Sequence, residues 1–147
     1  MNKDLHNNIV TCLAYEPTNV TNYTDFYSNL IDTKGFESAE IMVIVSALTG
    51  VDGSNSILPV LQECDTTVGT SFTAVATADM IGAFTLIDSS TEDSVIERVG
   101  YIGNKRYLRV KIDYTGTSIS AGVVGIVGLL GNAIHTPGSD VTPVSST

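Results

Sequence analysis

Apolar and polar residues alternate over short stretches separated by turn residues, and this pattern recurs along most of the chain. Successive side chains of a strand point to opposite faces, so such runs predict antiparallel strands of a sandwich or barrel rather than alternating strands and helices. About eight strands follow. They are read at residues 9–15 (closed by Pro17), 26–32 (ending at Lys34-Gly35), 40–48, 57–64, 84–88, 94–102, 105–114 and 122–131. Residues 40–48 are apolar on both alternating faces, as in a central strand covered on both sides. Pro59 argues for an edge position or a bulge, because it has no N–H to give a ladder. Residues 74–81 fit one short helical turn. Gly103-Asn104 lies between two β-rich runs and predicts a two-residue hairpin joining 94–102 to 105–114. In the second arm Leu108, Val110, Ile112 and Tyr114 alternate with Tyr107, Arg109, Lys111 and Asp113, one face core and one wet.

Residues 122–131 place glycine at every third position, Gly122, Gly125, Gly128 and Gly131, in an otherwise apolar run. Interior glycines cost a helix about 0.8 to 1 kcal/mol each relative to alanine, so the run predicts a strand. Both of its faces are apolar, and the expectation is burial by the fold on one side and by the fold or a partner on the other. Residues 1–135 are read as one β-sandwich domain with an extended start, and 136–147 as a Ser/Thr/Pro-containing tail.

Composition agrees: 47 of the 147 residues are valine, isoleucine or threonine, whose β-branched side chains suit a pleated surface. Charged residues make up 16% of the chain, and the net charge is −9. That sign removes the whole-molecule attraction to phosphate on which nucleic-acid binding rests. The start of the chain lacks the basic, apolar and small-residue sequence of a secretory signal, so the expectation is synthesis and retention in the cytoplasm. The longest apolar run, 121–134, is shorter than the roughly 20 residues a membrane helix needs, and no membrane partner is expected. Cys12 and Cys64 show neither zinc nor redox spacing and read as buried small hydrophobes.

Candidate chemistry is sparse. His6 and His135 lie near the ends and read as solvated, and no nucleophile elbow accompanies them. Asp88, Glu92 and Asp93 cluster in one acidic loop. Asp52-Gly53-Ser54-Asn55, with Asp65 further on, offers oxygen ligands without the calcium-loop spacing, and Asp-Gly is an ordinary turn pair. Neither phosphate-cradling nor dinucleotide glycine motifs occur. No catalytic residue, metal or cofactor is expected.

Charge is unevenly spread. Arg98, Lys105, Arg106, Arg109 and Lys111 are five of the seven basic residues, so residues 98–113 carry +4 and the remainder −13. Two roles fit this basic hairpin. Its side chains can pair with acids on neighbouring strands and guard a sheet edge, or they can form a docking patch for an acidic partner, including another copy of the chain.

Several motifs carry a family resemblance: Asp4-Leu5-His6-Asn7-Asn8, Gly35-Phe36-Glu37-Ser38-Ala39-Glu40, and the run from Val99-Gly100-Tyr101 through Lys105-Arg106-Tyr107 to Val110. Gly122-Val123-Val124-Gly125-Ile126-Val127 and the run from Leu130-Gly131-Asn132 to Thr136-Pro137 continue it. Over residues 4–137 the chain resembles small proteins encoded beside the major capsid protein of tailed bacteriophages and prophages. It departs from their pattern at Ala133-Ile134-His135, where a basic residue is commoner. The resemblance implies a jelly-roll-like antiparallel β-sandwich that decorates the assembled head. It implies a non-enzymatic cement protein, often trimeric, whose partner is the major capsid protein and whose location is the virion surface. Gly122, Gly125, Gly128 and Gly131, followed by Arg98, Lys105, Arg106, Arg109 and Lys111, are the candidate oligomer or capsid contacts. The alternatives are a head–tail joining protein and a carbohydrate-binding or host-adhesion sandwich; the tyrosines at 15, 23, 27, 101, 107 and 114 read as scattered rather than gathered for sugar stacking.

Overall fold

In the first long strand, Ile9–Asn19 (β1), Val10, Cys12 and Ala14 turn inward while Thr11 and Leu13 turn out, as period two requires. The computed structural model describes residues 5–21 and 24–134. The 136–147 tail and His135 lie outside the described residues. The further strands are Phe26–Tyr27 (β2), Ile31–Asp32 (β3), Phe36–Val45 (β4), Ser56–Cys64 (β5), Thr73–Ala74 (β6), Met80–Ile81 (β7), Val95–Tyr101 (β8), Tyr107–Thr115 (β9) and Val123–Ala133 (β10).

These strands form two antiparallel sheets packed as a sandwich. The first has the order β1-β10-β4-β8-β7; in the second the order is β2-β9-β5-β6, with β3 also on β9. With β2 and β3 taken as one broken strand and β7 as an addition, the remaining eight strands follow jelly-roll connectivity. The expected 26–32 strand breaks because Ser28 bonds Val110 with both its N–H and its hydroxyl, while the Asn29 N–H turns away to Ala14 on the other sheet.

The interior is filled from both sides. Ile41, Val43, Val45, Val124, Ile126 and Leu130 of the first sheet face Ile57, Leu61, Leu108, Val110 and Ile112 of the second. Each such side chain contributes roughly 1.5–3 kcal/mol relative to exposure. Both cysteines are buried and free. Pro59 sits in a locally open edge. On that side of β5 the Ile57 N–H reaches Ile87 and the Leu61 carbonyl accepts from Val75, and nothing there requires an N–H from position 59. The helical turn expected within 74–81 is the 3₁₀ turn Thr77–Asp79.

Two expectations are corrected. Residues 84–88 do not form a strand; only Ile87 bridges, to Ile57. Gly103-Asn104 is not a hairpin turn. β8 pairs with β4 and β7 in the first sheet, and β9 pairs with β5, β2 and β3 in the second. Their apolar faces are thus buried across the sandwich instead of lying side by side. The crossover is held by Tyr101, whose hydroxyl accepts the Lys105 N–H, and by Thr33, whose N–H and hydroxyl both donate to the Arg106 carbonyl.

Candidate functional site

The outer faces of the two sheets differ in chemistry. On the first sheet, register aligns Leu13, Val127, Met42 and Arg98 in one row and Gly125, Ile44 and Ile96 in the next. Leu13, Ile44 and Ile96 are 47%, 39% and 64% exposed. The Glu40–Arg98 pair, 3.7 Å apart, also lies on this face. The outer face of the second sheet instead carries Lys111, ion-paired to Asp25 at 2.7 Å and Asp113 at 3.3 Å, and a covered arginine.

That arginine is Arg109, only 7% exposed. Its guanidinium lies between the rings of Tyr27 and Phe72, 4.2 and 4.3 Å from their centroids. Nε donates to Gln62 Oε1 at 2.8 Å and one Nη to the Gly69 carbonyl at 3.0 Å. Burial pulls its pKa below the usual arginine value. Arg109 therefore fastens the 69–72 segment onto β9 and presents no open cation.

The crossover disperses the expected basic hairpin. Arg98 stands on the first sheet, Lys105 and Arg106 lie in the connection, and Arg109 and Lys111 stand on the second sheet. Lys105 meets Asp65 at 2.5 Å, and Arg106 grips Asp32 with two bonds of 2.9 and 2.7 Å. Burial alone would raise the Asp32 pKa, but the Arg106 bonds and the Lys34 N–H bring it below the ordinary carboxylate value. An open groove of about 610 Å³ at this end is lined by Lys34, Lys105, Arg106 and Glu37. With Asp32 and Asp65 bound to two of those cations, three positive groups stand beside three negative ones. Pairing with acids, part of the first of the two roles read from the sequence, is what Arg98, Lys105, Arg106 and Lys111 do within the chain, while Arg109 bonds Gln62 and the Gly69 carbonyl instead.

The glycines of β10 also have partners within the fold. A Cβ on Gly128 would lie 3.0 Å from Ile31 Cδ1 inside the sandwich, and one on Gly125 would lie 3.1 Å from Pro17 Cγ. At Gly131 it would meet Ser38 Oγ at 2.9 Å. Gly122, just before the strand, has φ +141°, and a Cβ there would collide with Leu48 Cδ2. It is the side chains between them, Val127 and Leu129, that β10 offers to the outer face.

The acidic clusters close loops. The Asp93 carboxylate accepts the Leu48 N–H at 2.7 Å, and Glu92 accepts the Asp88 N–H at 3.2 Å. Asp52 Oδ1 accepts from the Ser54 N–H and the Asn55 side chain, which lowers its pKa. Asp65 lies beyond the far end of β5, so the structure does not join it to Asp52. Among the described residues no group of three or more His, Cys, Asp or Glu side chains is placed to hold a metal. Burial pushes the Cys12 thiol pKa up, whereas bonds from Thr66 lower that of Cys64.

The tyrosines are less scattered than they read. Tyr15 stacks on Phe26, and Tyr114 joins them at one cavity; Tyr23 lies outside the described residues. No local signal links these three positions, because they meet only where β1, β2 and β9 converge. No protein-family model matches the chain, and no curated protein matches it.

Proposed function

We propose that the protein is a non-enzymatic structural subunit of a virion, a cement or decoration protein that binds the major capsid protein on the capsid surface as an oligomer, with three copies as the favoured number. The observation that carries this reading is the asymmetry of the sandwich. One sheet is covered outside by ion pairs and the Arg109 stack, while the other leaves Leu13, Ile44 and Ile96 exposed, with Met42 and Val127 part-buried among them. Four strands about 4.8 Å apart, over some six residues of about 3.3 Å each, make a face of roughly 400 Å². A standard stable interface takes about 800 Å² from each partner. One such face holds a partner weakly, and linked copies bound to a repeating lattice convert weak contacts into tight attachment. A stiff β body supplies the geometry, and this role needs no active site.

The test is to incubate the purified protein with capsids that lack it and image the particles. Regular decoration by the wild type, lost in Ile44→Glu/Ile96→Glu with unchanged circular dichroism, supports the reading. Bare capsids, or equal decoration by both proteins, would overturn it. A ring of copies at one vertex would replace it with a head–tail joining role. A monodisperse monomer at high concentration in light scattering would remove the oligomer.

A further inference from the structure

Where β1 at the edge of the first sheet approaches β2 and β9 of the second, aromatic rings wall a cavity of about 70 Å³. Tyr15 and Phe26 stack with centroids 4.8 Å apart and planes inclined by 27°. Tyr114 completes the wall and is fixed at two points: its N–H donates to Asp25 Oδ1 at 2.9 Å and its hydroxyl to the Ile119 carbonyl at 3.2 Å. Thr18, Asn19 and Thr24 supply the polar side of the same cavity. The Thr18 hydroxyl donates to the Glu16 carbonyl at 2.7 Å, which leaves its oxygen to accept.

In a chain with 7 basic and 16 acidic residues, none of the described residues lining this cavity is charged. The nearby Asp25 is tied to Lys111 at 2.7 Å. A phosphate, a carboxylate or a cation would find no countercharge here, so the lining selects a neutral ligand. Aromatic faces attract C–H groups, and two hydroxyls and an amide exchange hydrogen bonds with hydroxyls. An aliphatic side chain would satisfy the rings but leave the exposed polar groups to water. A sugar satisfies both, because a pyranose has an apolar C–H face and a polar rim. The volume is about two waters at ~30 Å³ each, room for one edge of a single ring with the rest in solvent.

We propose that this pocket binds the neutral terminal sugar residue of a glycan, in a contact with a dissociation constant on the order of 1 mM. The pocket is separate from the exposed face of the first sheet and does not depend on what covers that face. Its partner is a saccharide surface, and repeated copies would raise the strength of attachment.

The test uses the full chain and saturation-transfer NMR with the methyl pyranosides of glucose, galactose, mannose and N-acetylglucosamine, with methyl glucuronide and N-acetylproline methylamide alongside. The expected result is transfer to at least one neutral glycoside, movement of the Tyr15, Phe26 and Tyr114 ring resonances, and weaker binding of the glucuronide. Asn19→Ala, at the rim, should weaken the glycoside about fivefold with an unchanged fold. Tyr15 and Phe26 pack against the core, so the rim variant separates binding from folding. Absence of any glycoside signal at tens of millimolar, glycoside binding that leaves the ring resonances still or Asn19→Ala unaffected, tighter binding of the glucuronide, or binding of the proline amide alone would overturn the proposal.

Discussion

The hydroxyl of Tyr101, on the first sheet, donates to the Glu63 carboxylate of the second at 2.5 Å and accepts the Lys105 N–H at 2.8 Å. One phenol thereby ties the two sheets together at the end where the chain crosses between them. Replacing it by Tyr101→Phe leaves a part-buried carboxylate and an N–H to find water. The expected loss is about 1–3 kcal/mol, read as a lower urea midpoint with an unchanged slope. An unchanged midpoint would mean that the tie is not stabilising.

Burial, then the bond to Glu63, raises the Tyr101 pKa well above its ordinary value. A folded-state pKa above the unfolded one gives stability that is complete below the unfolded value, about 10, and is lost as pH rises through the folded value. In the folded protein Tyr101 should therefore ionise later than in the unfolded chain, read as the part of the tyrosinate absorbance rise that Tyr101→Phe removes. A Tyr101 contribution that is complete near pH 10 in a still folded protein would contradict this.

Gly103 and Gly128 are expected to be intolerant for steric reasons. A Cβ at Gly103 would lie 2.5–2.6 Å from atoms of the pinned Tyr101 ring, and Gly128 already abuts Ile31. Gly103→Ala and Gly128→Leu should each cost roughly 1–3 kcal/mol, while Gly53→Ala, with open space around it, serves as the control. Equal melting temperatures for all three variants would refute the assigned contacts.

Arg109→Met keeps an apolar stem between Tyr27 and Phe72 but removes the donors to Gln62 and the Gly69 carbonyl. A loss of about 1–3 kcal/mol is expected. Arg109→Lys should not restore it fully, since an ammonium lacks the planar fork that reaches both acceptors while stacking. Hydrogen exchange should quicken first in residues 69–75. Full rescue by lysine would count against the stack.

The bond from Lys111 lowers the Asp25 pKa, and Asp32 is lowered by Arg106 in spite of burial. Depressed folded-state values give stability that is present above the unfolded pKa, about 3.9, and is lost as pH falls through the folded values. Denaturation midpoints should be level above about pH 5 and fall below about pH 4. Asp32→Asn should lower the neutral-pH plateau and make the acid fall shallower. Midpoints that stay level into strong acid would show that these pairs do not stabilise the fold.

Much of the strand set was legible from period two alone. The alternation in 9–15 and 105–114 and the burial of both cysteines reappear in the sandwich, and 40–48 is a central strand as read, but it is covered on one side only, since Ile44 is exposed on the outer face. The break at Ser28 was not legible, because it depends on Val110, 82 positions away. The site was legible in part. The sequence marked β10 as apolar on both faces, but Pro17, Ile31 and Ser38 take up its glycines, leaving Val127 and its cross-strand neighbours Leu13 and Met42 on the outer face.

Local pattern determined that this chain makes strands, where most of them lie, and which side chains share a face, because the alternation is a property of the extended backbone itself. It could not determine strand neighbours, since Gly103-Asn104 serves a hairpin and a sheet crossing equally well. Only the tertiary structure decided that β8 and β9 belong to different sheets, that the basic residues part and all but Arg109 of the five find acids, and that Tyr15, Phe26 and Tyr114 meet. The physical reason is that apolar faces are buried by long-range packing, and that choice, made for the whole core at once, sets every contact between distant residues.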